Sequence, residues 1–170
     1  MGNRTTAEFT SYGENQEARG YLALPERGDG PGVLVLHAWW GLNDTIKAFC
    51  ARLAEAGFVA FAPDLYHGKV ADTIADAETL GQALDANHIQ ARAEIRAATR
   101  FLAERAGQTE RGVAVIGFSL GAYYALDLSV ADPEHISSIV IFYGTGVDDF
   151  SRNSNSSCTR FATFSSTLAN

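Results

Sequence analysis

Apolar residues in this chain fall into short dense runs separated by helical stripes, and the alternation repeats. Residues 32–38 (GVLVLHA), 58–62 (FVAFA), 113–116 (VAVI) and 136–143 (ISSIVIFY) are nearly continuous in Val, Ile, Leu, Phe and Ala. Such runs are the signature of strands covered on both faces. Residues 17–25 (EARGYLALP) alternate at Tyr21, Leu22 and Leu24 as a strand does, and lead into a glycine-rich turn at 26–31. Between the runs, Asn43 and Asp44 are good caps for a helix with Ile46, Phe49, Cys50 and Leu53 on one stripe, ending at Gly57. After Pro63 a longer helical region carries Ile74, Ala77, Leu80 and Leu84 on one stripe. Ile89, Ile95, Ala98, Phe101 and Leu102 lie on another.

Strands alternating with helices predict an α/β fold, a three-layer sandwich with a mostly parallel sheet covered on both faces. Right-handed crossovers bring the strand C-termini to one edge, where ligands bind. Four segments end there: 37–41 (HAWWG), 63–68 (PDLYHG), 117–121 (GFSLG) and 143–146 (YGTG). The third of them spells G-x-S-x-G between an apolar strand and an apolar helix. That is the setting of a nucleophile elbow, in which Ser119 sits on a strained strand-to-helix turn and larger flanking residues would collide with neighbouring chain. The helix that starts there points its free N–H groups and positive dipole end at an anion forming near Ser119.

Composition narrows the partners. The chain is 170 residues long, enough for one domain with a sizeable core, and carries a formal net charge of −7. That balance argues against a nucleic-acid or anionic-membrane surface, since phosphates attract basic faces. Cys50 and Cys158 form no metal or redox spacing, so a reducing compartment, the cytoplasm, is expected. The first ten residues lack the charged start and apolar run of a signal peptide, and no stretch approaches a membrane span.

GVLVLHAWWGLN at 32–43, AEAGFVAFAPDLYHG at 54–68, GFSLG at 117–121 and FYGTG at 142–146 together resemble the dienelactone hydrolase family of the α/β-hydrolase fold. The resemblance implies hydrolysis of small carboxylic esters or lactones by a nucleophile, an acid and a histidine, with no metal and no organic cofactor. On these motifs Ser119 takes the nucleophile position, which is cysteine in better-known members. The backbone N–H groups of Leu120 and Trp39 take the oxyanion positions. Cysteine-type members carry Glu after the loop histidine, where this chain has Ala38.

Downstream of Ser119 the family order is an acid, then a histidine, on loops after further strands. Asp148 and Asp149 follow a strand on the correct edge and are the candidate acids. The one later histidine, His135, directly precedes the 136–143 strand, which places it on the opposite edge. Residues 151–170 hold six Ser, three Thr and three Asn, with no apolar run long enough for a strand. The expectation is therefore an incomplete hydrolase domain at 1–150, lacking its C-terminal strands, and a disordered polar tail at 151–170, as truncation or a shifted reading frame would produce. Strand 136–143 would then be an apolar sheet edge, and self-association through it is expected.

Trp40, Tyr66, Phe118 and Tyr123 are candidates for an apolar substrate pocket, alongside Trp39, with core packing as the alternative for each. His37 and His67 fall on the active edge, where His37 reads as a loop anchor through a backbone hydrogen bond. Cys50 reads as core, and the charges from Arg92 to Arg105, Glu94 among them, as a solvated helix face. Three functions remain open on these residues: an ester or lactone hydrolase, a catalytically incomplete fragment or binding module, and a thioesterase or peptidase.

Overall fold

A computed structural model of the chain describes residues 5–107, 111–144 and 160–164, the last as backbone. Seven strands among these residues form one sheet: β1 (Thr6–Tyr12), β2 (Ala18–Leu24), β3 (Gly32–Leu36), β4 (Val59–Pro63), β5 (Val113–Phe118), β6 (Ile136–Phe142) and β7 (Arg160–Phe164). Their spatial order is β1-β2-β4-β3-β5-β6-β7. β1 and β2 run antiparallel to their neighbours, and β4, β3, β5, β6 and β7 pair in parallel. The parallel strands β3 and β4 are buried at every position, as their unbroken apolar runs require.

Among the described residues, four α-helices cover the sheet: α1 (Asp44–Glu55), α2 (Ile74–Ala86), α3 (His88–Arg105) and α4 (Leu120–Ala131). On one face Ile46, Cys50 and Ala54 of α1 pack against Val33, Val35, Ala60 and Ala62. On the other, Ile95 and Leu102 of α3 and Tyr124 and Leu128 of α4 pack against Leu34, Leu36, Phe61 and Val115. The α1 stripe stands because both its ends are tied. The Asn43 side chain accepts from the Ile46 amide at 3.1 Å. At the other end Gly57, at φ 95°, lets Phe58 N–H reach Leu53 O and Gly57 N–H reach Ala54 O, the paired bonds of a Schellman cap.

The two stripes expected after Pro63 are two helices that meet at Asn87. Ile74 and Ile89, which the stripes place inward, are 64% and 75% exposed. Each sits at the first turn of its helix, where the chain is still entering from solvent. β1 lies outside the sequence expectation altogether. As an edge strand it is exposed over its first four residues and so carries little apolar signal.

From the sequence, 151–170 is a strandless tail and β6 is a bare edge. Instead β7 pairs along β6, from Ser138 opposite Arg160 to Phe142 opposite Phe164. Strand β6 is therefore an interior strand, and the apolar edge expected to drive self-association is occupied. Five residues with Phe161, Thr163 and Phe164 among them suit extended backbone, but they are too few to show a period inside a serine-rich stretch.

Candidate active site

Strand β5 ends at Phe118, and the next residue turns sharply into α4. Ser119 has φ 51° and ψ −109°, a conformation outside the helical and extended regions. Its N–H donates to Phe142 O at 3.0 Å, tying the elbow to the end of β6, and its carbonyl accepts from Ala122 N–H at 2.9 Å. The two glycines of the motif are sterically required. A Cβ on Gly117 would overlap Gly121 O and stand 2.7 Å from Ala122 N. A Cβ on Gly121 would overlap Leu36 O and stand 2.7 Å from His37 O. The first turn of α4 thus lies directly on the chain leaving β3, beside residues 37–40.

That second loop is braced from several directions. His37 is fully buried. Its Nδ1 stands 2.8 Å from Ala38 O, and its Nε2 accepts from Leu65 N–H at 3.3 Å. A ring nitrogen that accepts carries no proton, so Nδ1 holds it and donates to Ala38 O. Burial holds the His37 pKa below its ordinary 6.5, against the opposing pull of the Ala38 carbonyl and the Asp64 charge. The neutral tautomer is what both bonds need. Gly41 N–H also donates to Ala38 O, at 3.0 Å, and closes the 38–41 turn. The Tyr66 hydroxyl donates to Trp39 O at 3.2 Å, with its pKa pushed up to about 12 by burial. Among the described residues, neither the Trp39 N–H nor the Leu120 N–H has an acceptor. The Leu120 amide is the first of α4, next to Ser119, and the Trp39 amide lies on the loop that follows the Leu36 and His37 carbonyls against which Gly121 packs.

The 64–68 turn that supplies Leu65 and Tyr66 is built on Asp64. Its carboxylate accepts from Tyr66 N–H at 3.2 Å and from Gly68 N–H at 2.6 Å, and His67 and Gly68 take positive φ. One side of this turn opens on a cavity of about 280 Å³ lined by Leu65, Tyr66, Lys69, Leu80 and Leu84. The other side opens on one of about 340 Å³ beside Phe9, Arg19, Lys47 and Val70. His67 lines both.

Of the pocket candidates, Tyr66 lines the first cavity. Phe118 packs edge-on to Phe49 at 5.3 Å and stacks on Phe142 at 5.0 Å, within the α1-side core. Trp40 and Tyr123 are each 39% exposed, and the Tyr123 hydroxyl receives Arg92 at 3.4 Å. Asp148 and Asp149 lie outside the described residues. Cys50 is core, its thiol pushed up to about 12 by burial.

All four histidines of the chain are described, and all are engaged away from Ser119. His37 uses both ring nitrogens in the loop. His67 Nε2 stands 3.5 Å from Glu94, and His88 Nδ1 contacts Asp85 O at 2.9 Å. His135 Nδ1 is 2.6 Å from Asp132, at the N-terminal edge where Ile136 pairs with Val113. Among the described residues the Ser119 hydroxyl has no hydrogen-bond partner. Glu94 and Arg92 are not the solvated charges expected. Arg92 pairs with Asp127 of α4 at 2.7 Å, and the Glu94 side chain is only 13% exposed.

The dienelactone hydrolase family model matches residues 18–166, past the point near 150 where the motif resemblance ends. Protein usf of Aquifex pyrophilus is 41% identical over 132 residues, covering 75% of this chain and 57% of that protein. The carboxymethylenebutenolidase of a Pseudomonas sp. is 36% identical over 135 residues, covering 75% of this chain and 56% of that enzyme. The chain thus spans less than two thirds of these relatives' lengths. Among solved structures, m3DLH superposes with a TM-score of 0.71 at 28% identity, over 82% of this chain and 60% of its own. A dienelactone hydrolase-like promiscuous phosphotriesterase from metagenomic libraries gives a TM-score of 0.69 at 29% identity, over 82% and 59%. Among the described residues no helix is long and apolar enough to cross a membrane.

Proposed function

The chain belongs to the dienelactone hydrolase family, and on that premise we propose that it carries the nucleophile and oxyanion site of a small-ester or lactone hydrolase. The observation that carries this reading is the backbone of Ser119, held at φ 51° on a glycine-bracketed elbow at the start of α4. In the proposed reaction the Ser119 hydroxyl adds to the ester carbonyl and gives up its proton to solvent. The tetrahedral oxyanion is held by the Leu120 and Trp39 amides and by the N-terminal end of α4, and collapses with loss of the alcohol to an acyl-serine. Water then releases the acid. The cavity beside Tyr66 is the proposed place for the apolar part of the substrate, and Asp148 or Asp149 remains the proposed acid. The substrate is a small molecule, in keeping with an acidic chain, and no metal or organic cofactor takes part. The buried unpaired Cys50 suits a reducing compartment such as the cytoplasm.

A second reading, that this chain is catalytically incomplete, is favoured by one observation: none of its four histidines contacts Ser119. In serine hydrolases that lose triad members, about 10³–10⁴-fold catalysis over water survives from binding and the oxyanion hole. Hydrolysis of a short activated ester by the wild-type chain and by Ser119→Ala separates the readings. Slow turnover that depends on Ser119 supports the nucleophile assignment. Equal rates in the two proteins support the incomplete domain. A rate matching that of a longer relative, abolished by Ser119→Ala, would require His37 or His67 to act as base.

A further inference from the structure

The Trp39 N–H has no acceptor of its own, so something else must aim it. It shares a trans peptide with the Ala38 carbonyl, and in such a unit the N–H and C=O point in opposite directions. The Ala38 carbonyl is pinned by His37 Nδ1–H at 2.8 Å and by Gly41 N–H at 3.0 Å. The following carbonyl, that of Trp39, is pinned by the Tyr66 hydroxyl at 3.2 Å. The Trp39 side chain, carried on the Cα between these two peptides, is a third anchor on how they are oriented. The indole lies against helix α2 at Gly81. A Cβ placed on Gly81 would overlap Trp39 Nε1 and stand 3.0 Å from Cδ1.

Glycine is the poorest helix former after proline, yet Gly81 sits buried in the middle of α2. The absent side chain is the space the indole fills. We propose that Gly81 is a positioning residue for the oxyanion site: by seating the Trp39 indole on α2 it fixes the direction of the Trp39 amide. The inference rests on the hydrolase reading for its catalytic consequence, but its geometric content stands apart from it. Helix α2 also walls the cavity of about 280 Å³ through Leu80 and Leu84. One helix therefore shapes the proposed substrate pocket and sets the proposed anion donor.

The test is Gly81→Ala, alone and in a Trp39→Leu background that keeps the backbone amide and removes the indole. On a short activated ester, Gly81→Ala is expected to lower kcat at least about tenfold with KM nearly unchanged, as for a displaced oxyanion donor. In the Trp39→Leu background the same substitution is expected to add no further loss. Equal losses in both backgrounds, or none in either, would overturn the proposal. A readout independent of catalysis is the ¹H–¹⁵N amide spectrum. Gly81→Ala should move the Trp39 backbone and indole cross-peaks while those of Val113 and Ile136, paired at the opposite end of β5, stay in place. If the wild-type chain is no faster than Ser119→Ala, the hydrolase reading fails and this spectrum alone decides: unmoved Trp39 cross-peaks overturn the positioning role. Should Gly81→Ala fail to fold, recovery of the fold in the double variant supports the indole–Gly81 packing, and failure of both variants overturns it.

Discussion

The two ends of β5 carry a strained serine and an Asp–His pair, and the strand keeps them apart. At the C-terminal end, Ser119 has a strained backbone and, among the described residues, no partner for its hydroxyl. At the N-terminal end, His135 stands 2.6 Å from Asp132, an acid–histidine pair with no nucleophile. Six strand residues, roughly 20 Å of extended chain, lie between them, and proton transfer needs hydrogen-bond reach. The difference teaches where each comes from. An elbow is local, made by glycine spacing at one strand-to-helix turn. A base must be delivered to the same edge by another loop, and an Asp–His pair elsewhere in the chain is then only a cap on the turn before β6.

The two ends are alike in packing, and the largest predicted effects probe that likeness. A Cβ on Gly121 meets the carbonyls of Leu36 and His37, and one on Gly112, at φ 68°, comes within 2.7 Å of the His135 carbonyl. Each of Gly121→Ala and Gly112→Ala should cost about 3 kcal/mol or more, lowering the melting temperature by roughly 6–12 °C. A melt within experimental error of wild type for either variant would show that the chain relaxes around the added methyl.

Acid separates the ends next. His37, on the active edge, has a pKa lowered by burial. The unfolded chain therefore takes up a proton below about pH 6.5 that the folded chain refuses, and stability falls with falling pH by up to about 1.4 kcal/mol per unit. It stops falling once the folded-state pKa is passed. Urea midpoints measured at descending pH should drop more steeply for wild type than for His37→Gln. Identical slopes would mean that His37 is free to protonate in place.

The smallest effects have opposite signs. Ser119→Gly removes the positive-φ strain and should stabilise the chain by about 1 kcal/mol. His135→Ala gives up the bond to Asp132 and should destabilise it by about 1 kcal/mol, leaving any Ser119-dependent ester hydrolysis unchanged. A drop in that hydrolysis with an intact melt would bring His135 into the site and break the comparison.

Much of this organisation was legible from residue pattern. Apolar runs marked β3 through β6, unbroken in β3 and β4, which are buried at every position, and interrupted only by Ser137 and Ser138 in β6; the glycines at 117 and 121 marked the elbow because neither can carry a Cβ. Strand β1 was not legible, since its exposed face leaves no apolar period. Strand β7 was hidden by its length and its serine-rich surroundings. At the site, His37 could be read as an anchor, because a buried histidine at a loop start is best satisfied by backbone partners. Phe118, a pocket candidate by position, faces the α1-side core because side chains alternate across β5 and its neighbours Ala114 and Ile116 share that face. Gly81 carried no signal, because the indole that needs its space lies some forty positions away in the chain.

The most direct measurement follows Ser119 itself. Incubation with an activated phosphonate, digestion and mass spectrometry would locate the adduct, and the modification rate would be taken as a function of pH. The expected result is slow, stoichiometric modification of the peptide containing Ser119, absent in Ser119→Ala. Its rate should rise steadily between about pH 6 and 8 without the inflection a titrating histidine base gives. Rapid labelling with an inflection in that range would contradict the separation of nucleophile from base, and labelling that spares Ser119 would contradict the elbow's role altogether.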